Sequence, residues 1–225
     1  MKKQTVIKSL IAIKNAFFEM KNSYVKGRDC SSLFNAFKNR LDCQLKSYDI
    51  EYDFLVGSDT VNIGGETKNY VPKKYDTLLF DVSVKVDGVW CDITRTFFIE
   101  DYTPSQKEAF EIIKKSLRSG QAFLKDGAIA LDIYNAVNLE HKNLSNQLVH
   151  HAGHLIDCEP VMEPRFLKDN DKAIKLNDIV AIESGVYKEF GLRLENDYFI
   201  TQNGCEDLFE ELMPLEIDNY VLKEI

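Results

Sequence analysis

Residues 77–99, TLLFDVSVKVDGVWCDITRTFFI, decide the fold of this chain. Two runs rich in β-branched and aromatic residues, Thr77 to Val86 and Val89 to Ile99, flank Asp87-Gly88. That dipeptide accepts the positive φ angles of a two-residue hairpin turn. With this turn Val86 faces Val89, Ser83 faces Asp92 and Asp81 faces Thr94. Side chains alternate across a strand, so Asp81 and Asp92 share one face as diagonal neighbours about 7 to 8 Å apart. The other face carries Phe80, Val82, Val84, Cys91 and Ile93 and is the one expected to be buried. Two unpaired carboxylates side by side repel, and a cation between them removes that penalty; the alternative is a pair of solvated aspartates on an exposed sheet face.

The pattern recurs downstream. IVAIESGVY (179–187) and LRLENDYFI (192–200) read as a second hairpin around Glu189-Phe190-Gly191, with Gly191 in the left-handed region of a three-residue loop. In that register Glu183 and Glu195 repeat the diagonal pair of acids, which predicts two pseudo-twofold related halves. A one-residue change in either loop would move one acid to the opposite face. Four carboxylates around one cavity carry a charge matched by two divalent cations. Three of the four histidines fall together in His150-His151-Ala152-Gly153-His154, and His141 lies in a polar stretch and reads as solvent-exposed. Oxygen ligands with one imidazole suit manganese, iron, cobalt or zinc. Two such ions lower the pKa of a shared water for attack on a carbonyl. A histidine-rich strand can equally be structural.

Outward from the hairpins, Val6, Leu10, Ile13, Phe17 and Met20 recur at helical spacing over residues 4–25, with Gly27 as terminator. Asp29 or Ser31 can cap a second helix over 30–46. VGSD (56–59) and IGG (63–65) suggest strands joined by loops. A helix is expected from Thr103-Pro104-Ser105-Gln106 to Leu117 or beyond, another over 130–139, and a strand over 148–154. No Pro-, Gly- or Ser-rich linker divides the chain, so residues 1–225 read as one α/β unit, without a glycine-rich phosphate loop after any strand.

The 225 residues hold 36 acidic and 28 basic side chains, a formal net charge of −8, which argues against a general nucleic-acid binder. A hydrophobic fraction of 44% excludes a disordered chain. Five widely spaced cysteines without a CxxC pair point to a reducing compartment rather than a disulfide framework. Lys8 and Lys14 interrupt the apolar N-terminal stretch before a signal sequence can form, and no run is long enough to span a membrane. The expected location is the cytoplasm.

The hairpin FDVSVKVDGVWCDITRTFFI, the stretch HHAGHLIDCEPVMEP and the strands IVAIESGVY and GLRLENDYFIT, in this order, resemble the metallopeptidase family of Xaa-Pro aminopeptidases, prolidases and methionine aminopeptidases. The resemblance covers residues 4–202, implies the pita-bread α/β (α+β) fold and extends to the catalytic domain alone, without the additional N-terminal domain of full-length Xaa-Pro peptidases. It implies that Asp81, Asp92, His154, Glu183 and Glu195 hold two divalent metal ions, manganese first, with cobalt, iron or zinc as alternatives. In it Asp92 and Glu195 bridge the ions, Glu183 is also general base, His150 lies near the substrate, and Arg193 supports the ligand shell; DITRT, with Thr94, and Arg193-Leu194-Glu195 match the Xaa-Pro branch. The sequence departs from the family at four places. Val161 and Met162 stand where the family has a histidine followed by an acid. Gly64 and Gly65 lie where a second substrate-facing histidine is expected, Ser184 replaces the proline of EPG, and Ser83 replaces a glycine. The expected activity is therefore removal of an N-terminal residue from a peptide, plausibly before proline, with a homodimer as one assembly. A non-catalytic peptide- or protein-binding module of the same fold, or another metal-dependent C–N hydrolase, are the alternatives.

Overall fold

The computed structural model describes residues 2–141 and 148–224. Four helices and nine strands follow in the order α1 (Lys2–Asn22), α2 (Ser31–Gln44), β1 (Asp49–Val56), β2 (Thr77–Val86), β3 (Val89–Ile99), α3 (Pro104–Gln121), α4 (Ala130–His141), β4 (Gly153–Ile156), β5 (Met162–Arg165), β6 (Ile179–Tyr187), β7 (Gly191–Ile200), β8 (Cys205–Asp207) and β9 (Val221–Leu222). They form two sheets, β1-β2-β3-β9 and β5-β4-β6-β7-β8. α1 lies on β2 and β3 with α2 against it, and α3 lies on β6 and β7 with α4 against it. This is the arrangement of two similar halves that the repeated acid pairs predict.

The first hairpin has the predicted register: Val86 pairs with Val89, Ser83 with Asp92 and Asp81 with Thr94. Asp87 (φ 50°) and Gly88 (φ 83°) both occupy the left-handed region that its turn demands. Its apolar face is buried as expected, with Phe80, Val82, Val84, Cys91 and Ile93 fully inaccessible. Phe80 packs against Phe37 of α2 (centroids 4.5 Å apart), Phe54 of β1 (5.0 Å) and Phe17 of α1 (5.7 Å). Tilted and edge-on ring pairs of this kind contribute about 0.5–1.5 kcal/mol each beyond their buried area.

The second hairpin corrects the sequence reading. Tyr187 pairs with Gly191, so the loop is Lys188-Glu189-Phe190 and the pairing moves by a step that keeps both acids on one face while setting Glu183 directly opposite Glu195. Gly191 is not in the left-handed region; it is a glycine because a Cβ there would lie 1.6 Å from the Thr60 carbonyl oxygen. A close backbone approach, rather than turn geometry, accounts for the residue, and pattern alone does not separate the two.

VGSD ends β1 and opens a 3₁₀ turn, Gly57–Val61, in keeping with the expected strand and loop. Other boundaries move. The strand expected over 148–154 begins only at Gly153. α2 starts at Ser31 and its N-cap position is Cys30, without a side-chain cap, so neither Asp29 nor Ser31 caps it, although the Asp29 carboxylate accepts from the Ser31 N–H at 2.9 Å. α3 is capped by Thr103 rather than Ser105, in a reciprocal pair in which Gln106 N–H donates to Thr103 Oγ1 (3.2 Å) and Thr103 N–H donates to Gln106 Oε1 (2.7 Å). Caps of this type are worth about 1 kcal/mol.

The inner strands β3 and β7 run alongside each other and join the two sheets through side chains. Thr96 Oγ1 donates to the Arg193 carbonyl and accepts from the Arg193 N–H, both at 3.0 Å. Asp197 Oδ2 accepts from the Asp92 N–H at 3.1 Å. The fully buried Arg95 donates to the Glu195 carbonyl (2.6 Å), the Thr94 carbonyl (2.9 Å) and Asn196 Oδ1 (2.6 Å). Side-chain bonds thus satisfy main-chain groups where no ladder closes, and they hold the acid-bearing faces of the hairpins together.

Candidate metal centre

Asp92 on β3, Glu195 on β7 and His154 on β4 converge in the interior, each at most 5% exposed. His154 Nε2 lies 3.5 Å from Glu195 Oε1 and 3.7 Å from Asp92 Oδ2. Potential ligand atoms of these three residues all lie within 4.8 Å of one another, and so do those of His151, His154 and Glu183. The outward-facing oxygens of the acids are held in place: Ser83 Oγ donates to Asp92 Oδ1 at 2.9 Å and Thr94 Oγ1 donates to Glu195 Oε2 at 2.8 Å. Ser83, a departure from the family pattern, thereby orients a candidate ligand.

Asp81, the remaining acid expected as a ligand, falls in neither group and lies beside Arg193, whose Nη2 is 2.5 Å from Asp81 Oδ2 and 3.8 Å from Asp53 Oδ2. Arg193 is buried, so it is not the surface ion pair that its position beside Glu195 could have suggested. Asp53 pairs directly with Asp81 across β1 and β2; it went unread in the sequence because β1 lacks clean alternation.

Burial decides the protonation of these acids. It pushes Asp81 up to about 7, with Arg193 pulling the other way and Glu195 and Glu183 adding to the rise. Burial together with Glu195 and Asp81 raises Asp92 well above the usual carboxylate range. Glu183 goes the opposite way: burial would raise it, but His150, His151 and Arg193 outweigh burial and hold its carboxyl well below that range. One carboxylate is therefore held ionised among neighbours that resist ionisation.

His150 lies against Glu183 and Tyr187. Its Nδ1 lies 3.3 Å from Glu183 Oε2 and 2.7 Å from the His151 carbonyl, and its Nε2 lies 3.1 Å from the Tyr187 hydroxyl. His151, singled out by no sequence argument, places Nδ1 2.7 Å from Glu183 Oε1. In a regular strand residues 151 and 154 would point to opposite faces. His151 precedes β4 and is outside that alternation; Gly153, at φ +143°, opens the strand where a Cβ would lie 2.1 Å from the Ala181 carbonyl oxygen.

His141 is corrected. It is fully buried, not solvent-exposed, and its Nε2 lies 2.8 Å from Ser184 Oγ, which donates to Ser116 Oγ at 3.0 Å. Ser184, where the family has proline, thus joins a buried polar chain behind Glu183. Burial, with His150 adding to it, lowers the His141 pKa to about 4. Its usual value is about 6.5, so in acid the unfolded chain takes up a proton that the native state does not. This contribution to stability is complete above pH 6.5 and is lost as pH falls towards 4, by roughly 3 kcal/mol. Urea unfolding at pH 7.5 and 4.5 is expected to show His141→Gln losing less stability than the wild type between the two; an equal loss would remove His141 as the cause.

The residues fit a divalent metal. Asp81 Oδ1, Glu195 Oε1 and His151 Nδ1 are buried without a hydrogen-bond partner among the described residues. Partnerless acceptors cost about 1–3 kcal/mol each, more when charged, and a bound cation would satisfy them. Carboxylate oxygens with imidazole nitrogens are the donors that first-row divalent ions take.

Comparison with known proteins agrees with this architecture. The model of metallopeptidase family M24 matches residues 7–202. An uncharacterized peptidase of Methanocaldococcus jannaschii is 31% identical over 174 residues, covering 72% of this chain and 49% of that protein. Among solved structures, prolidase from Pyrococcus furiosus superposes with a TM-score of 0.86 at 18% identity, covering 92% of this chain and 63% of its own. A dipeptidase from Mycobacterium ulcerans superposes with a TM-score of 0.89 at 18% identity, covering 98% and 60%. These likenesses establish the pita-bread fold. The chain spans about half the length of the curated relatives it matches, such as the 49% above.

Proposed function

Because the chain belongs to metallopeptidase family M24, we propose that it is a dinuclear metal-dependent hydrolase that removes the N-terminal residue from peptides, with Xaa-Pro peptides as its substrates. The observation that carries this reading is the pair of buried ligand groups that share His154, one with Asp92 and Glu195 and the other with His151 and Glu183, beside acceptors that lack partners. Asp81, Asp92, His154, Glu183 and Glu195 would hold two divalent cations, and the predominance of carboxylates favours manganese. When bound, such cations polarise the scissile carbonyl and supply a nucleophile at neutral pH.

The chain's own groups do the rest. Glu183, kept ionised by its basic neighbours, is the proton acceptor, through the oxygens that face His150 and His151. Thr94 and Ser83 fix the orientation of Glu195 and Asp92, and Arg193 sets that of Asp81. His150, pinned by Tyr187 and its own backbone contact, borders the place where the reacting carbonyl would sit. No imidazole stands at Val161 or at Gly64 and Gly65, where the backbone folds over Asp53 instead (Gly65 N–H to Asp53 Oδ1, 2.7 Å). Loss of one such stabiliser costs about 10²–10³ in rate. Turnover of ordinary Xaa-Pro peptides is accordingly slow, and these missing groups favour another C–N bond, or peptide binding without cleavage, as the second reading. Five free cysteines support a reducing, cytoplasmic setting; among the described residues no helix is long and apolar enough to cross a membrane.

Metal analysis of the purified protein, with hydrolysis of Xaa-Pro and methionine-initiated peptides assayed with and without added manganese or cobalt, tests the reading. Bound divalent metal and metal-dependent release of an N-terminal residue are expected. Neither metal nor turnover would overturn it.

A further inference from the structure

We infer that His151 is an additional metal ligand of this centre, one that gives the cation beside Glu183 a second imidazole. The inference rests on the metal-dependent reading above and goes beyond its five ligands.

Three independent features of the structure converge on it. First, potential ligand atoms of His151, His154 and Glu183 lie within 4.8 Å of one another, as do those of Asp92, His154 and Glu195. Second, His151 Nδ1 is buried and makes no hydrogen bond among the described residues, although it lies 2.7 Å from Glu183 Oε1. The two atoms are close without the alignment of a donor and an acceptor, as expected of two lone pairs directed at a common third centre. Third, the segment leading into β4 brings the ring of His151 against that of His154, nearly perpendicular at 85° with centroids 5.2 Å apart. His150 does not compete for the role, because both of its ring nitrogens are already engaged.

The chemical consequence is selectivity. A set of four carboxylates and one imidazole leans towards manganese. A second imidazole favours cobalt and zinc over manganese, because nitrogen donors gain more from ions later in that order.

Titration calorimetry of the metal-free full chain with Co²⁺ and with Mn²⁺, together with the visible absorption of the cobalt-loaded protein, tests the inference. His151→Ala is expected to weaken Co²⁺ binding by about 10–100-fold and to change the cobalt spectrum, with a smaller loss for Mn²⁺. His151→Asn keeps an N–H able to donate to Glu183 but removes the imidazole, and is expected to behave like His151→Ala. Wild-type affinity and spectrum in either variant would overturn the inference, and in His151→Asn would identify the residue as a hydrogen-bond donor to Glu183. In both cases the metal-dependent reading survives. Failure of the wild type to bind either ion would overturn the inference and the reading together.

Discussion

Glu183→Gln is expected to leave the protein folded and to lower kcat/KM for peptide hydrolysis by about 10²–10⁴-fold, the range over which a positioned acid–base group acts. The substitution is nearly isosteric in a position that is 5% exposed, so the core around β6 keeps its volume. It removes the charge that His150, His151 and Arg193 hold ionised by driving the Glu183 carboxyl below the usual range. Circular dichroism and urea unfolding establish folding, and kcat/KM at saturating metal gives the rate. Turnover within a factor of about three of the wild type would reject Glu183 as the proton acceptor.

Metal removal has the second large effect, and pH sets its size. In the metal-free fold Asp81, with an ordinary value near 4, holds its proton up to about 7, and Asp92 shifts the same way. A carboxyl raised on folding stabilises the native state fully below its unfolded pKa and loses that contribution as pH rises through its folded pKa. The metal-free protein thus loses this contribution between pH 4 and 7. Over the same window a divalent cation gains ligands, because each must give up its proton to bind. The melting-temperature difference between metal-loaded and metal-free protein is expected to widen from pH 5 to pH 7.5. With metal at 100 times its Kd, binding adds about 2.7 kcal/mol, or roughly 5–10 °C for a chain of this size. Scanning calorimetry at both pH values, with chelator and with added manganese, measures it. A difference that stays constant or shrinks as pH rises would mean that Asp81 and Asp92 do not exchange protons for metal.

Much of this architecture was legible in the chain. The Asp87-Gly88 turn set the first register without ambiguity, because a two-residue hairpin admits a single pairing and period-two alternation carries it to Asp81 and Asp92. The second hairpin was legible only to parity. A three-residue loop can be drawn as 188–190 or 189–191, and what selects the first is the approach of Gly191 to Thr60, 131 residues away. His141 was misread for a related reason. Polar neighbours in sequence reported its surroundings poorly, since the partner that holds it, Ser184, comes from another element.

By itself the sequence determined the first acid-bearing hairpin, the parity of the second and the Thr103 cap of α3, because turn chemistry and side-chain periodicity act between near neighbours. Tertiary structure alone decided which face of His151 meets Glu183, that Arg193 is buried against Asp81 and Asp53, and that Thr94, Thr96, Arg95 and Asp197 fasten β3 to β7. Each of those contacts joins residues far apart in the chain. Whether they form depends on packing and on the removal of charge from water, which no local pattern encodes.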